Sequence, residues 1–152
     1  MIKTENLSKV FQRGRKEAPI TAVKDLTLQV AEGEVFGFLG PNGAGKTTTV
    51  RMLTSLIAPS AGKAWVNGLE VGKQDQDIRR CVGILTETPG MYDRLSAEKN
   101  LTIYARLYQV KSPQAQVEKY LRMLGLWERR LDEVVSFSKG MRQKLAIARA
   151  LL

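Results

Sequence analysis

The sequence lacks, or nearly lacks, the residues that support several common kinds of catalytic and metal site. It has no histidine and one cysteine, Cys81, in 152 residues. One cysteine excludes a disulfide within the chain, and the lack of histidine excludes histidine-based general-base chemistry and most zinc sites. No apolar run approaches the roughly 18 residues of a membrane-spanning helix, and residues 1–6 have no apolar core like that of a signal peptide. We therefore expect a cytoplasmic protein that reaches a membrane only through a partner.

Positive charge is the property that the sequence has in excess. Lys and Arg number 24 against 15 Asp and Glu, so the formal net charge is +9. An anionic ligand or partner would explain this charge, and nucleic acid, phosphates and acidic lipid headgroups all qualify. A solvated surface whose compensating acids lie on another segment would explain it equally well. The length and the hydrophobic fraction of 43% are those of one ordinary globular domain.

Short apolar runs and turn signals predict strands mainly in the first part of the chain. Glu34 to Leu39 is a short apolar run that contains a glycine and leads into another, a pattern typical of a buried parallel strand. Asn67-Gly68 lies between two apolar segments and is a strong signal for a two-residue hairpin turn. Cys81 begins an apolar run and is expected to be a buried strand residue. The predicted extended segments are 2–11, 20–30, 34–39 and 81–85.

Apolar residues at helical spacing predict helices elsewhere. The first runs from Lys46 to Ile57, the second follows a capping Ser96, and the third opens at Ser112-Pro113. The last starts near Gly140 and is still running at Leu152, with an end so apolar that burial on most sides is expected. The predicted apolar faces of the first three are Val50, Leu53 and Ile57; Leu101, Tyr104, Ala105 and Tyr108; and Val117, Tyr120, Leu121 and Leu124.

A glycine-rich stretch lies between the predicted strand 34–39 and the first predicted helix. It matches G-x-x-x-x-G-K-[ST], the P-loop pattern for binding nucleotide phosphates. Glycines let the backbone take positive φ and approach the phosphates, and the helix presents its positive end to them. Lys46 would contact the β- and γ-phosphates, and the Thr47 hydroxyl would ligate Mg²⁺. The predicted nucleotide-binding residues here are Gly40, Pro41, Asn42, Gly43, Ala44, Gly45, Lys46, Thr47 and Thr48.

A second motif precedes the last predicted helix. It reads Phe137-Ser138-Lys139-Gly140-Met141, followed by Arg142-Gln143-Lys144. A serine hydroxyl, a glycine and a helix N-terminus together form an anion-binding end, although a serine alone at this place would simply cap the helix. The motif resembles the L-S-G-G-Q signature loop, and the R-Q-R after it, of the ATP-binding cassette family.

The resemblance to this family extends over the whole chain. Residues 7–11 are similar to its opening strand, 85–92 to its glutamine loop, and 95–108 with 117–124 to its helical subdomain. The resemblance implies that Phe11 stacks on adenine. It implies that Glu87 stands where most members have the glutamine that reaches Mg²⁺ or the attacking water. It also implies that Ser138 and Gly140 close over the γ-phosphate held by the P-loop of a second ATP-binding domain.

The fold implied by the resemblance is α/β. It consists of a P-loop NTPase core with a mainly parallel sheet, an antiparallel β portion and a helical subdomain. In a single domain, 1–152, the β portion and core would take about 1–90, the helical subdomain about 91–136, and the signature helix 137–152.

The implied function is that of the ATP-binding subunit of a transporter, with ATP and Mg²⁺ as cofactors. Its partners would be a second ATP-binding domain, in a homodimer or heterodimer, and a transmembrane permease that holds it at the inner face of the membrane. The Thr-Glu-x-Pro-Gly pattern at 86–90 favours the exporter branch. The permease chooses the transported substrate, so the sequence does not identify it.

The chain departs from the family pattern at three positions and at its end. Glu87 replaces glutamine, Lys139 replaces the first signature glycine, and Met141 replaces the signature glutamine. The resemblance stops before the Walker B strand, with its Mg²⁺-orienting aspartate and its catalytic glutamate. We therefore expect this 152-residue chain to bind ATP but to hydrolyse it negligibly. Measurable turnover that Lys46→Ala abolishes would contradict this expectation.

Two other functions fit part of the sequence. A relative that acts on nucleic acid or ribosomes would account for the charge of +9. Such relatives usually carry paired cassettes or long inserts, which are not seen here, so no direct contact with nucleic acid is expected. A steep salt dependence in a DNA or RNA binding assay would favour that alternative. A P-loop kinase or GTPase would leave the second motif unexplained, and no segment reads guanine.

Overall fold

Strands lie in the first part of the chain and most helices in the second, as the apolar patterns predict. The computed structural model describes residues 1–12, 14, 17–86 and 90–152. These form two units, Met1–Val82 and Gly83–Leu152. The strands are β1 Ile2–Phe11, β2 Ile20–Val30, β3 Ala61–Val66 and β4 Leu69–Glu70. The α-helices are α1 Lys46–Leu53, α2 Asp75–Cys81, α3 Ala97–Leu107, α4 Pro113–Met123 and α5 Lys139–Ala150, with 3₁₀ turns at Trp127–Arg129 and Val134–Ser136.

The first unit is built on an antiparallel sheet with the strand order β2-β1-β3-β4. The predicted hairpin is confirmed, since Asn67 and Gly68, with φ of 50° and 79°, join β3 to β4. A two-residue turn of this kind requires positive φ at both positions, which Asn and Gly tolerate. The ladder of β1 and β2 shifts register after Thr4, where the buried Thr4 hydroxyl donates to Leu26 O and accepts from Leu28 N.

One apolar cluster joins the sheet of the first unit to α1 and α2. Helix α1 is shorter than predicted and ends at Leu53, and its buried face centres on Met52 instead of Val50, which is 45% exposed. Leu53 and Ile57 pack against the cluster, as predicted. The buried members are Leu7, Val23, Met52, Ala64, Val66, Val71 and Ile78.

The second unit is a group of helices around its own apolar core. Ser96 caps α3 by accepting from Lys99 N at 3.2 Å, and Pro113 is the first residue of α4, as predicted. Leu101 and Ala105 of the predicted α3 face are buried, whereas Tyr108 is 49% exposed. Within the ranges that the structure describes, no helix is both long and apolar enough to cross a bilayer. The buried core consists of Ala97, Leu101, Ala105, Val117, Leu121, Leu126, Val134, Phe137, Leu145 and Ala148.

Two predicted strands, 34–39 and 81–85, are wrong, although strands and helices together form the predicted α/β fold. Residues 34–39 have no regular structure, and Val35 and Leu39 are 98% and 93% exposed. Cys81 is exposed and is the last residue of α2, and 82–86 are irregular. The backbone N–H and C=O groups of a buried strand need hydrogen-bond partners on neighbouring strands. Among the described residues, no strand pairs with either of these segments. Acids in the first turn of α2 and arginines in its last turn favour the helix instead.

Candidate functional site

The glycine-rich stretch forms a loop that leads directly into α1. Gly40, Gly43 and Gly45 have φ of 155°, 86° and 85°, so all three have the positive φ that the motif predicts. Gly45 is the N-cap and Lys46 the first helical residue, and the first turn contains no acid. The first-turn N–H groups of a helix have no intrahelical acceptors. The loop therefore ends at an electropositive, hydrogen-bond-donating helix terminus suited to an anion.

Gly45 is also the point where the loop contacts the sheet of its own unit. A Cβ placed on it would lie 2.3 Å from the carbonyl oxygen of Ala22 and 3.0 Å from a Val23 methyl carbon. Backbone at that distance leaves no space for a side chain, and the φ of 85° independently disfavours one. The close contact fixes the start of α1 against β2.

The Lys46 ammonium lies within the loop. It donates to the carbonyl oxygens of Gly40, at 2.6 Å, and Pro41, at 2.7 Å. The loop is tightened further by Ala44 N, which donates to Pro41 O at 3.2 Å. The half-buried ammonium is thus already held where loop and helix meet, which is the position from which it could contact a bound phosphate.

The three threonines after Lys46 have different surroundings. Thr47 is exposed, Thr48 is half-buried, and Thr49 is buried with its hydroxyl bonded to Gly45 O at 3.0 Å. Thr47 can therefore offer its hydroxyl to a metal ion, whereas Thr49 serves the helix. No group of three or more Asp, Glu, Cys or His residues clusters in the described part of the chain. A magnesium ion here would depend on Thr47, phosphate oxygens and water, a donor set that Mg²⁺ accepts.

Phe11, the predicted adenine contact, lies in the same unit as the loop. It is the last residue of β1 and pairs with Ile20, two residues before the Ala22 carbonyl that contacts Gly45. The side chain is 40% exposed. A role for Phe11 toward adenine stays a prediction.

The second predicted motif caps α5 in the other unit. The Ser138 hydroxyl accepts from Met141 N at 3.3 Å, and α5 has no acid in its first turn. Ser138, Lys139 and Gly140 are all exposed. The geometry is that of an accessible helix N-terminus, and a role for Ser138 and Gly140 toward nucleotide stays a prediction. Glu87, the predicted metal and water contact, lies outside the described residues.

Sequence reasoning did not identify Arg142 and Asn100 as residues that hold loops in place. Arg142 is paired with Asp93 at 2.6 Å and also donates to Phe137 O and Val135 O, just ahead of Ser138. Asn100 is fully buried and hydrogen-bonds to the backbone of Tyr92, Leu95 and Ser96. An asparagine between Ala97 and Leu101 on an otherwise apolar helix face was the available signal for the second residue.

Comparison with known proteins agrees with these features. Residues 23–152 match the family model described as ABC transporter. The ABC transporter ATP-binding protein NatA of Bacillus subtilis is 42% identical over all of this chain, which spans 62% of that protein. The bacitracin transport ATP-binding protein BcrA of Bacillus licheniformis is 40% identical, again over all of this chain but only 47% of its own length. The chain thus spans less than two thirds of either relative.

A solved structure shares the fold. It is the dimeric structure of MJ0796, a bacterial ABC transporter cassette, with a TM-score of 0.82 and 25% sequence identity. The match covers 99% of this chain and 69% of that one.

Proposed function

The chain belongs to the ABC transporter family, and from this premise we propose that it is the ATP-binding part of a transporter that exports its substrate. The observation that carries the proposal is the loop of residues 40–47. Its three glycines have positive φ, and the Lys46 ammonium lies at the helix end within hydrogen-bond distance of two loop carbonyls. The 42% identity to NatA, an ATP-binding protein, supports ATP as the ligand.

Different residues of the first unit bind the phosphates, the magnesium and the adenine of Mg-ATP. Lys46 exchanges its bonds to Gly40 O and Pro41 O for bonds to the β- and γ-phosphates, which are stronger acceptors because they are charged. The remaining loop N–H groups and the start of α1 bind phosphate oxygens. Thr47 ligates the magnesium, which supplies positive charge to the phosphates. Phe11 stacks on the adenine, and its side chain is 40% exposed.

The partners follow from the same premise. The similar cassette MJ0796 was solved as a dimer, which supports a second ATP-binding domain as a partner of this chain. In a dimer of this chain, Ser138 and Gly140 of one domain would face the γ-phosphate bound by the other, and both residues are exposed. A membrane-spanning permease subunit would hold the protein at the inner face of the cell membrane and would choose the substrate. ATP hydrolysis by the whole protein would drive the export.

Titration of the chain with Mg-ATP, followed by its thermal unfolding, tests the binding proposal. A ligand that binds only the folded state stabilises it by about 2.7 kcal/mol at a hundredfold excess over Kd, so ATP will raise the unfolding midpoint. Adenosine at equal concentration will raise it far less, since the loop recognises phosphates. Equal shifts with ATP and adenosine, or no shift with either, would refute the proposed phosphate site.

A further inference from the structure

Lys9 is a basic residue beside the proposed adenine site that the predicted motifs do not include. It lies two residues before Phe11 on β1. Its Nζ lies over the Phe11 ring, 5.2 Å from the centroid. This distance is within the roughly 6 Å at which a cation interacts with an aromatic face. The contact covers one face of the ring, and Phe11 nevertheless remains 40% exposed.

The same ammonium is fixed by a second contact. Lys9 Nζ donates to the carbonyl oxygen of Ala58 at 2.6 Å, in the segment that connects α1 to β3. Lys9 also pairs across the sheet with Val23, whose methyl carbon would lie 3.0 Å from a Cβ placed on Gly45. One side chain therefore links the strand that carries Phe11 to the segment after the helix that begins at the phosphate loop.

We propose that Lys9 is a positioning residue for the nucleotide base. It holds the Phe11 ring by one face and leaves the opposite face for a purine base to stack on. The proposal rests on the proposed function, in which Phe11 receives the adenine of ATP. Because the ammonium lies over the Phe11 ring, 5.2 Å from its centroid, its effect is exerted on the ring and on the base that stacks there. Lys9 thereby contributes to the choice of a nucleoside triphosphate over a bare polyphosphate.

The test compares two probes, Mg-ATP and magnesium inorganic tripolyphosphate, each titrated against the full chain with the unfolding midpoint as readout. Lys9→Met keeps most of the length of the side chain but removes the charge. It will weaken ATP binding about two- to fivefold, the change expected from loss of an exposed cation–π contact, and leave tripolyphosphate binding unchanged. Lys9→Arg, which keeps a cation and a donor, will restore ATP binding.

Ser60→Ala is the matched structural control. The Ser60 hydroxyl accepts from Val10 N at 3.0 Å and so joins the same connecting segment to β1. This variant will bind both probes as the unchanged chain does. Phe11→Leu supplies a second measurement, since it removes the ring but not the apolar bulk. It will lose affinity for ATP alone, and adding Lys9→Met to it will cause no further loss.

Several results would overturn the role of Lys9. Equal weakening of ATP and tripolyphosphate by Lys9→Met would mean that Lys9 acts on the phosphates or on the fold. No weakening of ATP, or losses that add fully to those of Phe11→Leu, would mean that it does not act through the ring. If the unchanged chain binds neither probe, the proposed function fails and this proposal with it. If the chain binds both and Phe11→Leu has no effect, the phosphate site stands and only the base site is refuted.

Discussion

Lys46→Ala will abolish the rise in unfolding midpoint that Mg-ATP produces and will weaken ATP binding at least about a hundredfold. Hydrogen bonds to charged groups contribute about 1.5–3 kcal/mol each, and the ammonium is expected to make such bonds to two phosphates. Its present partners, Gly40 O and Pro41 O, lie on an exposed loop and can bond to water instead, so the midpoint without nucleotide will change little. Thermal unfolding with and without Mg-ATP measures both effects.

Lys63→Ala is the control for the change of charge. Lys63 is exposed on β3, in the same unit as the loop, and its loss changes the net charge equally. Its ATP response will equal that of the unchanged chain. If Lys46→Ala retains a normal response, or if Lys63→Ala loses it as well, the ammonium in the loop is not the phosphate contact and general electrostatic attraction accounts for binding.

The elements that the sequence predicts correctly are those whose cause is local. Asn67-Gly68 sets the β3–β4 turn through its own backbone preferences, and Ser96 caps α3 through a bond three residues along the chain. The strands predicted at 34–39 and 81–85 depend on other strands for their hydrogen bonds. An apolar run indicates that a segment is favourable to bury, but it does not show which strands would pair with that segment. That difference explains the exposed Val35 and the helical Cys81.

In the candidate site, too, the features predicted correctly are local, and the contacts that were missed join residues far apart along the chain. The phosphate loop is a continuous motif, so the positive φ of its glycines follows from the sequence. The approach of Gly45 to Ala22 joins residues 23 positions apart, and the bond from Lys9 to Ala58 joins residues 49 apart. No short motif encodes contacts between residues so far apart along the chain. The predicted role of Phe11 came from resemblance, whereas its pairing with Ile20 comes from the register of β1 and β2.

Asn100→Asp will destabilise the second unit by about 3–5 kcal/mol, although it changes only one atom and its hydrogens. Asn100 Nδ2 faces three carbonyl oxygens, of Tyr92 at 3.0 Å, Leu95 at 3.2 Å and Ser96 at 3.0 Å. An ionised carboxylate has no hydrogen to donate, so an uncompensated charge would be buried against three acceptors. A protonated carboxyl could satisfy only one of them. The segment 92–96 would then lose its attachment to α3, and urea unfolding followed by the helical circular dichroism signal will show the loss.

The side-chain oxygen of Asn100 also holds segment 92–96 against α3. Its Oδ1 accepts from Tyr92 N at 2.8 Å, so Asn100→Ala leaves that amide unpaired as well as the carbonyls and will cost about 2–3 kcal/mol. Gln114→Glu makes the same change of charge at an exposed position of α4, and its effect will stay within about 0.5 kcal/mol. A loss below about 1 kcal/mol for Asn100→Asp would contradict this explanation, because a buried carboxylate facing three carbonyl oxygens is expected to destabilise the fold by more than that. It would mean that water reaches segment 92–96 in solution and that this segment folds onto α3 without the amide.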